Sequence, residues 1–252
     1  MIIDGHMHLP VYYNLKTFDE KKNILLAELN KNKVSKAVII SDSIEESTIG
    51  NVDQCISLFS DNKDIYIVAG LSPKDKFKEQ RLKLEKYFFE KKIIGIKLFP
   101  DHENFKVNDP ILFEFYAWAQ ENNCPVLFHS EGDFSKYSNP SLVEEVLLKF
   151  TELKLVCCHC FYPNVENCFE LLYYPNLYFE LSSVADRYDI LEEVSDEIKS
   201  LSRLIEQRII FGSDYGGCSQ KDHINFVNNL DIDKEIKDKI FSENIINLYE
   251  LN

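Results

Sequence analysis

The stretch Met1-Ile2-Ile3-Asp4-Gly5-His6-Met7-His8 begins as an apolar run of strand type and ends on two histidines two positions apart. Side chains alternate faces along a strand, so His6 and His8 point the same way. Two imidazoles side by side at the end of a buried strand are hard to explain as packing. They are easily explained as two ligands on one divalent metal. An HxH pair is short, and a pair of partly solvated histidines is the plain alternative. Its meaning depends on what the rest of the chain brings to the same place.

Working outward, seven further apolar runs follow: 36–41, 65–70, 93–100, 125–130, 153–159, 176–182 and 208–214. Amphipathic segments separate them. Thr17-Phe18-Asp19-Glu20 has capping-box spacing ahead of Ile24, Leu25 and Leu29. A helix is expected around Asn51 to Ser60, and a charged one from Lys76 to Lys92 with Leu82, Leu84 and Phe88 facing inward. Asp109-Pro110 and Asn139-Pro140 each start a helix, with Pro at the first helical position. Helices are also expected over 164–173, 190–206, 220–229 and 233–249.

Strand-like runs of non-alternating polarity indicate a parallel sheet buried on both faces. Eight such units in 252 residues fit a single (β/α)8 TIM barrel better than a doubly wound sheet. Some distortion is allowed for, and an extra C-terminal helix closes the chain. No linker or low-complexity stretch divides residues 1–252, so one domain is expected.

At 45% hydrophobic the chain has ample core, and no apolar run reaches the length of about 18 residues that a membrane span needs. No basic segment precedes an apolar stretch at the N-terminus, and the seven cysteines lack disulfide-framework spacing. A cytoplasmic protein with reduced thiols is expected. A formal charge of −14 argues against a nucleic-acid partner, whose phosphates call for Lys and Arg.

The polar residues within the apolar strands are the informative ones. His6 and His8 end strand 1, Lys97 lies near the end of strand 4, His129 ends strand 5, His159 ends strand 6 and Asp214 ends strand 8. In a barrel those ends converge on the face that carries active sites. Four of the six histidines fall there. Cys157 and Cys160 beside His159 suggest a thiolate zinc site. Alternation, however, sends Cys158 and Cys160 outward and leaves Cys157 a small buried hydrophobe beside His159.

This constellation resembles the amidohydrolase superfamily, and more closely its amidohydrolase-related branch of hydrolases and non-oxidative decarboxylases. The resembling pieces are Ile3-Asp4-Gly5-His6-Met7-His8, Gly95-Ile96-Lys97-Leu98-Phe99-Pro100, Val126-Leu127-Phe128-His129-Ser130, Val156-Cys157-Cys158-His159-Cys160, Ile210-Phe211-Gly212-Ser213-Asp214-Tyr215 and the terminal Glu243-Asn244 helix.

The resemblance implies that His6, His8, His129 and Asp214 are metal ligands. It makes His159 a further ligand or a partner that polarises the substrate. One divalent ion is implied, Zn²⁺ foremost, with Mn²⁺, Fe²⁺ or Ni²⁺ as alternatives. The ion would bring a water to a pKa of roughly 7. Asp214 would take that water's proton and deliver it to the leaving group. A second metal would require a carboxylated Lys97. Otherwise Lys97 pairs with an acidic substrate or a site carboxylate, or is structural.

His102 lies on the loop after strand 4, on the substrate face. Arg187, after strand 7, either binds a substrate carboxylate or forms a surface salt bridge. Tyr12, Tyr13 and Tyr215 are candidates to line the pocket. His223 reads as structural, and Asn244 as a tie between helix and barrel.

TatD-type deoxyribonucleases share the HxH start. They carry a glutamate where this chain has Lys97, and a Thr-Asp motif where it has Gly212-Ser213-Asp214. The expectation is therefore a metal-dependent hydrolase of a small carbonyl substrate, an amide, ester or lactone. A decarboxylase on the same ligands, a TatD-type nuclease and a non-catalytic metal-binding barrel are the alternatives. The partner is a small molecule rather than nucleic acid or membrane, and the resemblance permits a homodimer.

Overall fold

A computed structural model describes residues 1–11, 17–74, 76–130 and 135–251. Eight parallel strands run β1 (Ile3–Met7), β2 (Lys36–Ile40), β3 (Ile65–Gly70), β4 (Gly95–Leu98), β5 (Val126–His129), β6 (Leu155–Cys158), β7 (Leu177–Glu180) and β8 (Ile209–Ile210), each hydrogen-bonded to the next. The helices are α1 (Phe18–Asn32), α2 (Val52–Phe59), α3 (Phe77–Phe89), α4 (Pro100–Glu103), α5 (Phe113–Glu121), α6 (Pro140–Lys149), α7 (Leu191–Leu204), α8 (Gln220–Asn229), α9 (Lys234–Asp238) and α10 (Asn244–Tyr249). The connection from β6 to β7 carries 3-10 turns over Val165–Leu171 in place of the expected α-helix.

The start signals act as their chemistry predicts. Thr17 and Asn51 form reciprocal capping boxes with Glu20 and Gln54. Asn139 caps α6 with Pro140 at its first position. In α3, Leu84 is buried but Leu82 is 50% exposed. Two residues turn a helix by about 200°, so the two cannot share the inward face.

The barrel closes through its shortest strand. Beyond Ile210 the chain leaves β7 and crosses to β1. Gly5 N–H donates to the Phe211 carbonyl at 2.9 Å, and Asp214 N–H to the His6 carbonyl at 2.8 Å. His8 N–H donates to the Tyr215 carbonyl. The seam that completes the barrel is therefore the backbone that carries His6, His8 and Asp214.

Ile3, Val38, Ile40, Val68, Leu127, Val156, Cys158 and Ile210 fill the barrel interior. Ile245, Leu248 and Tyr249 of α10 pack against them and cover the floor. Asn244 fastens that helix by donating to the Glu206 and Ile209 carbonyls at 2.8 and 2.7 Å. The larger cluster fills the layer between strands and helices. Among the described residues, no helix is long and apolar enough to cross a membrane.

Strand β6 corrects the expected orientation of its cysteines. Cys158 faces the interior, whereas Cys157 packs in the outer layer with its thiol 2.9 Å from Ser130 Oγ. The strand ends at Cys158, and His159, Cys160 and Phe161 follow with φ of 66°, 51° and 56°. Three left-handed residues break the alternation, so parity counted back from His159 is reversed.

Candidate active site

His6 and His8 reach the top of the barrel by plain alternation in and just beyond β1. The His6 Nδ1 lies 2.7 Å from Glu180 Oε2, and the His8 Nδ1 lies 2.9 Å from the Ile40 carbonyl. The Ile40 carbonyl and an ionised Glu180 are both acceptors, so each Nδ1 carries the proton and each Nε2 presents a lone pair. Those Nε2 atoms stand 3.2 Å apart, and Asp214 Oδ1 lies 3.6 and 3.4 Å from them. Three acceptor atoms meet with no proton among them, an arrangement that calls for a cation. Donors sharing one ion at about 2.0–2.2 Å lie roughly 3–3.5 Å apart, close to these spacings.

Asp214 arrives by a different route. Its φ of 54° turns the carboxylate inward at the end of the seam, and Ser183 Oγ–H donates to its Oδ2 at 3.1 Å. Beneath the seam, Asp4 accepts from Ser213 N–H at 3.0 Å, Ser213 Oγ–H at 2.6 Å and Gln220 Nε2 at 2.7 Å, which fixes the Gly-Ser-Asp turn to β1.

Burial pushes His6, His8, His129 and His159 below the ordinary imidazole value, and the Lys97 charge pushes in the same direction. They are therefore neutral at neutral pH, as ligand imidazoles must be. Burial alone would raise Asp214, but the Lys97 charge and the Ser183 hydrogen bond oppose it, and its carboxyl lies below the usual range. Burial raises the thiol of Cys157 well above its ordinary value and that of Cys158 to about 12.

The other candidates separate cleanly. His6, His8, Lys97, His102, His129, His159 and Asp214 all line one cavity of about 240 Å³, together with Val11, Ile49 and Phe99. Imidazole rings follow one another from the exposed His102 to His129 at 4.3 Å between centroids, then to His159 at 4.6 Å and His6 at 5.1 Å. Lys97 is fully buried, and its Nζ has no hydrogen-bond partner among the described residues.

Arg187 lies away from the cavity, half exposed and paired with Asp189 at 2.6 Å. Tyr215 turns into the outer core. Tyr12 and Tyr13 fall outside the described residues. His223 is a satisfied buried histidine, donating from Nδ1 to the Ser219 carbonyl and accepting the Ala185 N–H.

Sequence reading overlooked Glu180 and Ser182. Glu180 is buried and accepts from Ser182 N–H, Ser182 Oγ–H and His6 Nδ1, each at 2.7 Å. Gly212 exists to admit it, because a Cβ there would stand 1.8 Å from Glu180 Oε1 and 2.8 Å from His6 Cβ. The signal was present in Leu177-Tyr178-Phe179-Glu180, a lone acid ending an apolar strand, which is the same kind of signal that singled out Lys97.

Against known proteins, a family model described as Amidohydrolase matches residues 3–251. No curated protein sequence matches. An uncharacterised TIM-barrel protein from Bordetella bronchiseptica superposes with a TM-score of 0.82 at 18% identity, covering 99% of this chain and 98% of that one. A protein described as a probable 2-pyrone-4,6-dicarboxylic acid hydrolase from Acinetobacter baumannii, with citric acid bound, gives 0.72 at 14% over 99% of both chains. A dihydroxybenzoic acid decarboxylase from Polaromonas sp., with bound manganese and an inhibitor, gives 0.70 at 12% over 100% and 97%. At these identities the likeness is one of fold.

Proposed function

The chain belongs to the amidohydrolase family, and from that premise we propose a metal-dependent hydrolase of a small carbonyl compound, an amide, ester or lactone, that bears an anionic group. The observation that carries this reading is the meeting of His6 Nε2, His8 Nε2 and Asp214 Oδ1 as three proton-free acceptors within 3.2–3.6 Å of one another. These residues would hold the cation, with His129 as the further donor that the family resemblance implies. A divalent ion bound there supplies an acidified water and a polarised carbonyl at neutral pH. Nitrogen and oxygen donors suit Zn²⁺ first and accept Mn²⁺, Fe²⁺ or Ni²⁺.

The chain's own groups do the rest. Asp214, kept ionised, accepts the proton of the attacking water and returns it to the leaving group. Lys97 holds the substrate's anionic group, because its buried Nζ has no hydrogen-bond partner among the described residues and an anion would supply one. The seven free cysteines support a cytoplasmic setting, and the charge of −14 disfavours nucleic acid.

Decarboxylation is the second reading, and Lys97 favours it, since its buried Nζ beside the cavity imidazoles is also a seat for a carboxylate about to leave. Elemental analysis of the purified protein, with metal supplied, comes first. One equivalent supports the proposed site, two bring a carboxylated Lys97 into a second metal's shell, and none overturns the mechanism. A screen of small carboxylate-bearing amides, esters and lactones in ¹⁸O-water then separates the reactions. Label in the organic product supports hydrolysis, and CO₂ release with an unlabelled organic product supports decarboxylation.

A further inference from the structure

The hydroxyl of Ser182 lies where three groups converge: 2.8 Å from His159 Nδ1, 3.1 Å from His6 Nδ1 and 2.7 Å from Glu180 Oε2. All four residues are buried, so each polar atom must find its partner within this set. In the ionised form of Glu180, whose carboxyl burial raises to about 7, the protons distribute in one way. Glu180 Oε1 takes the Ser182 N–H, and Oε2 takes both the His6 Nδ1–H and the Ser182 Oγ–H. With its own proton committed to Glu180, the Ser182 oxygen can only accept from His159, which places a proton on His159 Nδ1.

We infer that Glu180 and Ser182 form one positioning device that fixes the tautomers of two cavity histidines at once, so that His159 offers an unprotonated Nε2 to the substrate. A neutral imidazole with a lone pair at Nε2 accepts protons and cannot donate to a carbonyl oxygen. His159 is thereby assigned as a proton acceptor, and polarising the substrate carbonyl falls to other groups. An imidazolium formed at His159 would be stabilised by the Ser182 oxygen and, through it, by the Glu180 carboxylate, the same logic by which a buried acid supports a catalytic histidine elsewhere.

The device also couples the two sides of the cavity. His6, on the seam, and His159, on the β6 side, share the acceptor pair Glu180 and Ser182, although 153 residues separate them in sequence (159 − 6). For His6 the inference goes with the proposed cation. The His159 tautomer is set by protein atoms alone and is readable in metal-free protein, so failure of either reading leaves the other testable.

The test is histidine ¹⁵N NMR on full-length protein, metal-free and with Zn²⁺ added, which reports directly which ring nitrogen carries the proton. Wild type should show His159 as the Nδ1–H tautomer. In Ser182→Ala that pattern should be lost for His159 but kept for His6, whose Glu180 partner remains. Ser182→Thr, which restores the hydroxyl, should recover it. Glu180→Gln should perturb both histidines and lower zinc affinity about 10–100-fold, while Ser182→Ala leaves zinc affinity unchanged. An Nε2–H tautomer for His159 in wild type would overturn the assignment. So would an Nδ1–H pattern that survives in Ser182→Ala. Should Glu180→Gln not fold, the Ser182 pair decides alone.

Discussion

Strands β1 and β6 both deliver histidines to the cavity, but by opposite means. His6 and His8 follow the regular alternation of an extended chain, and each Nδ1 is anchored by an acceptor that fixes which nitrogen faces the centre. His159 comes after its strand has ended, on three consecutive left-handed residues that discard the alternation. The first delivery is a local property of the chain. The second depends on Ser182 and on the packing that holds the turn, since left-handed conformations cost non-glycine residues about 1–2 kcal/mol each. A ligand pair that must meet a cation at fixed spacing sits in the rigid strand, whereas the residue expected to face substrate sits on a turn.

The sharpest way to break this comparison is to remove the strand-borne pair. The double variant H6A/H8A should lose bound metal and, with it, about 10³-fold or more of activity, several kcal/mol of transition-state stabilisation. Elemental analysis beside turnover reads both. If metal stays, the seam is not the ligand site.

His159→Gln tests the other side. It should lower kcat by roughly 10²–10⁴-fold while the metal content holds. Loss of metal instead would make His159 a ligand and erase the contrast between the two strands.

Gly212→Ala attacks the support of the first delivery without touching a ligand. The new methyl would overlap Glu180 Oε1, and displacing that acid should weaken metal affinity about 10–100-fold, measured by competition with a chelator. Unchanged affinity would show that His6 needs no carboxylate behind it.

The smallest effect lies outside both strands, on α7. Burial, with Glu166 and Glu193 adding to it, raises Glu197 to about 7. A carboxyl whose folded pKa is raised favours the folded state while protonated, and that contribution is lost as pH climbs from about 4.5 through 7. Glu197→Gln should therefore flatten the fall in stability over that window. The group is half-buried and screened, so the gain in Tm above pH 7 should stay within about 2–4 °C. Activity at the cavity should not respond. If it did, global stability rather than site geometry would explain the larger losses above.

The barrel was legible because buried parallel strands read as continuous apolar runs, and because a charged or imidazole side chain within such a run stands out. That signal found His6, His8, Lys97, His129, His159 and Asp214, all of which line one cavity. It was equally present at Glu180, an acid at the end of the apolar stretch Leu177-Tyr178-Phe179, and was not read there. Outside the apolar runs the sequence carried no such signal. Arg187 and Tyr215 follow β7 and β8 on the site's side of the barrel, yet one pairs with Asp189 at the surface and the other turns into the outer core. Loop direction is not periodic, so spacing says nothing about it.

By itself, then, the sequence determined the alternation of strand and helix, the face on which the strand-end residues gather, and the shared direction of His6 and His8. These rest on periodicity and apolar burial, which act between near neighbours in the chain. Only the tertiary structure decided that the β8–β1 seam sets Asp214 against two lone pairs. It also reversed Cys157 and Cys158, and placed Glu180 and Ser182 behind both His6 and His159. Those outcomes depend on hydrogen bonds between residues as far apart as 216 positions, as for Asp4 and Gln220, and such bonds have no geometry until the barrel has closed.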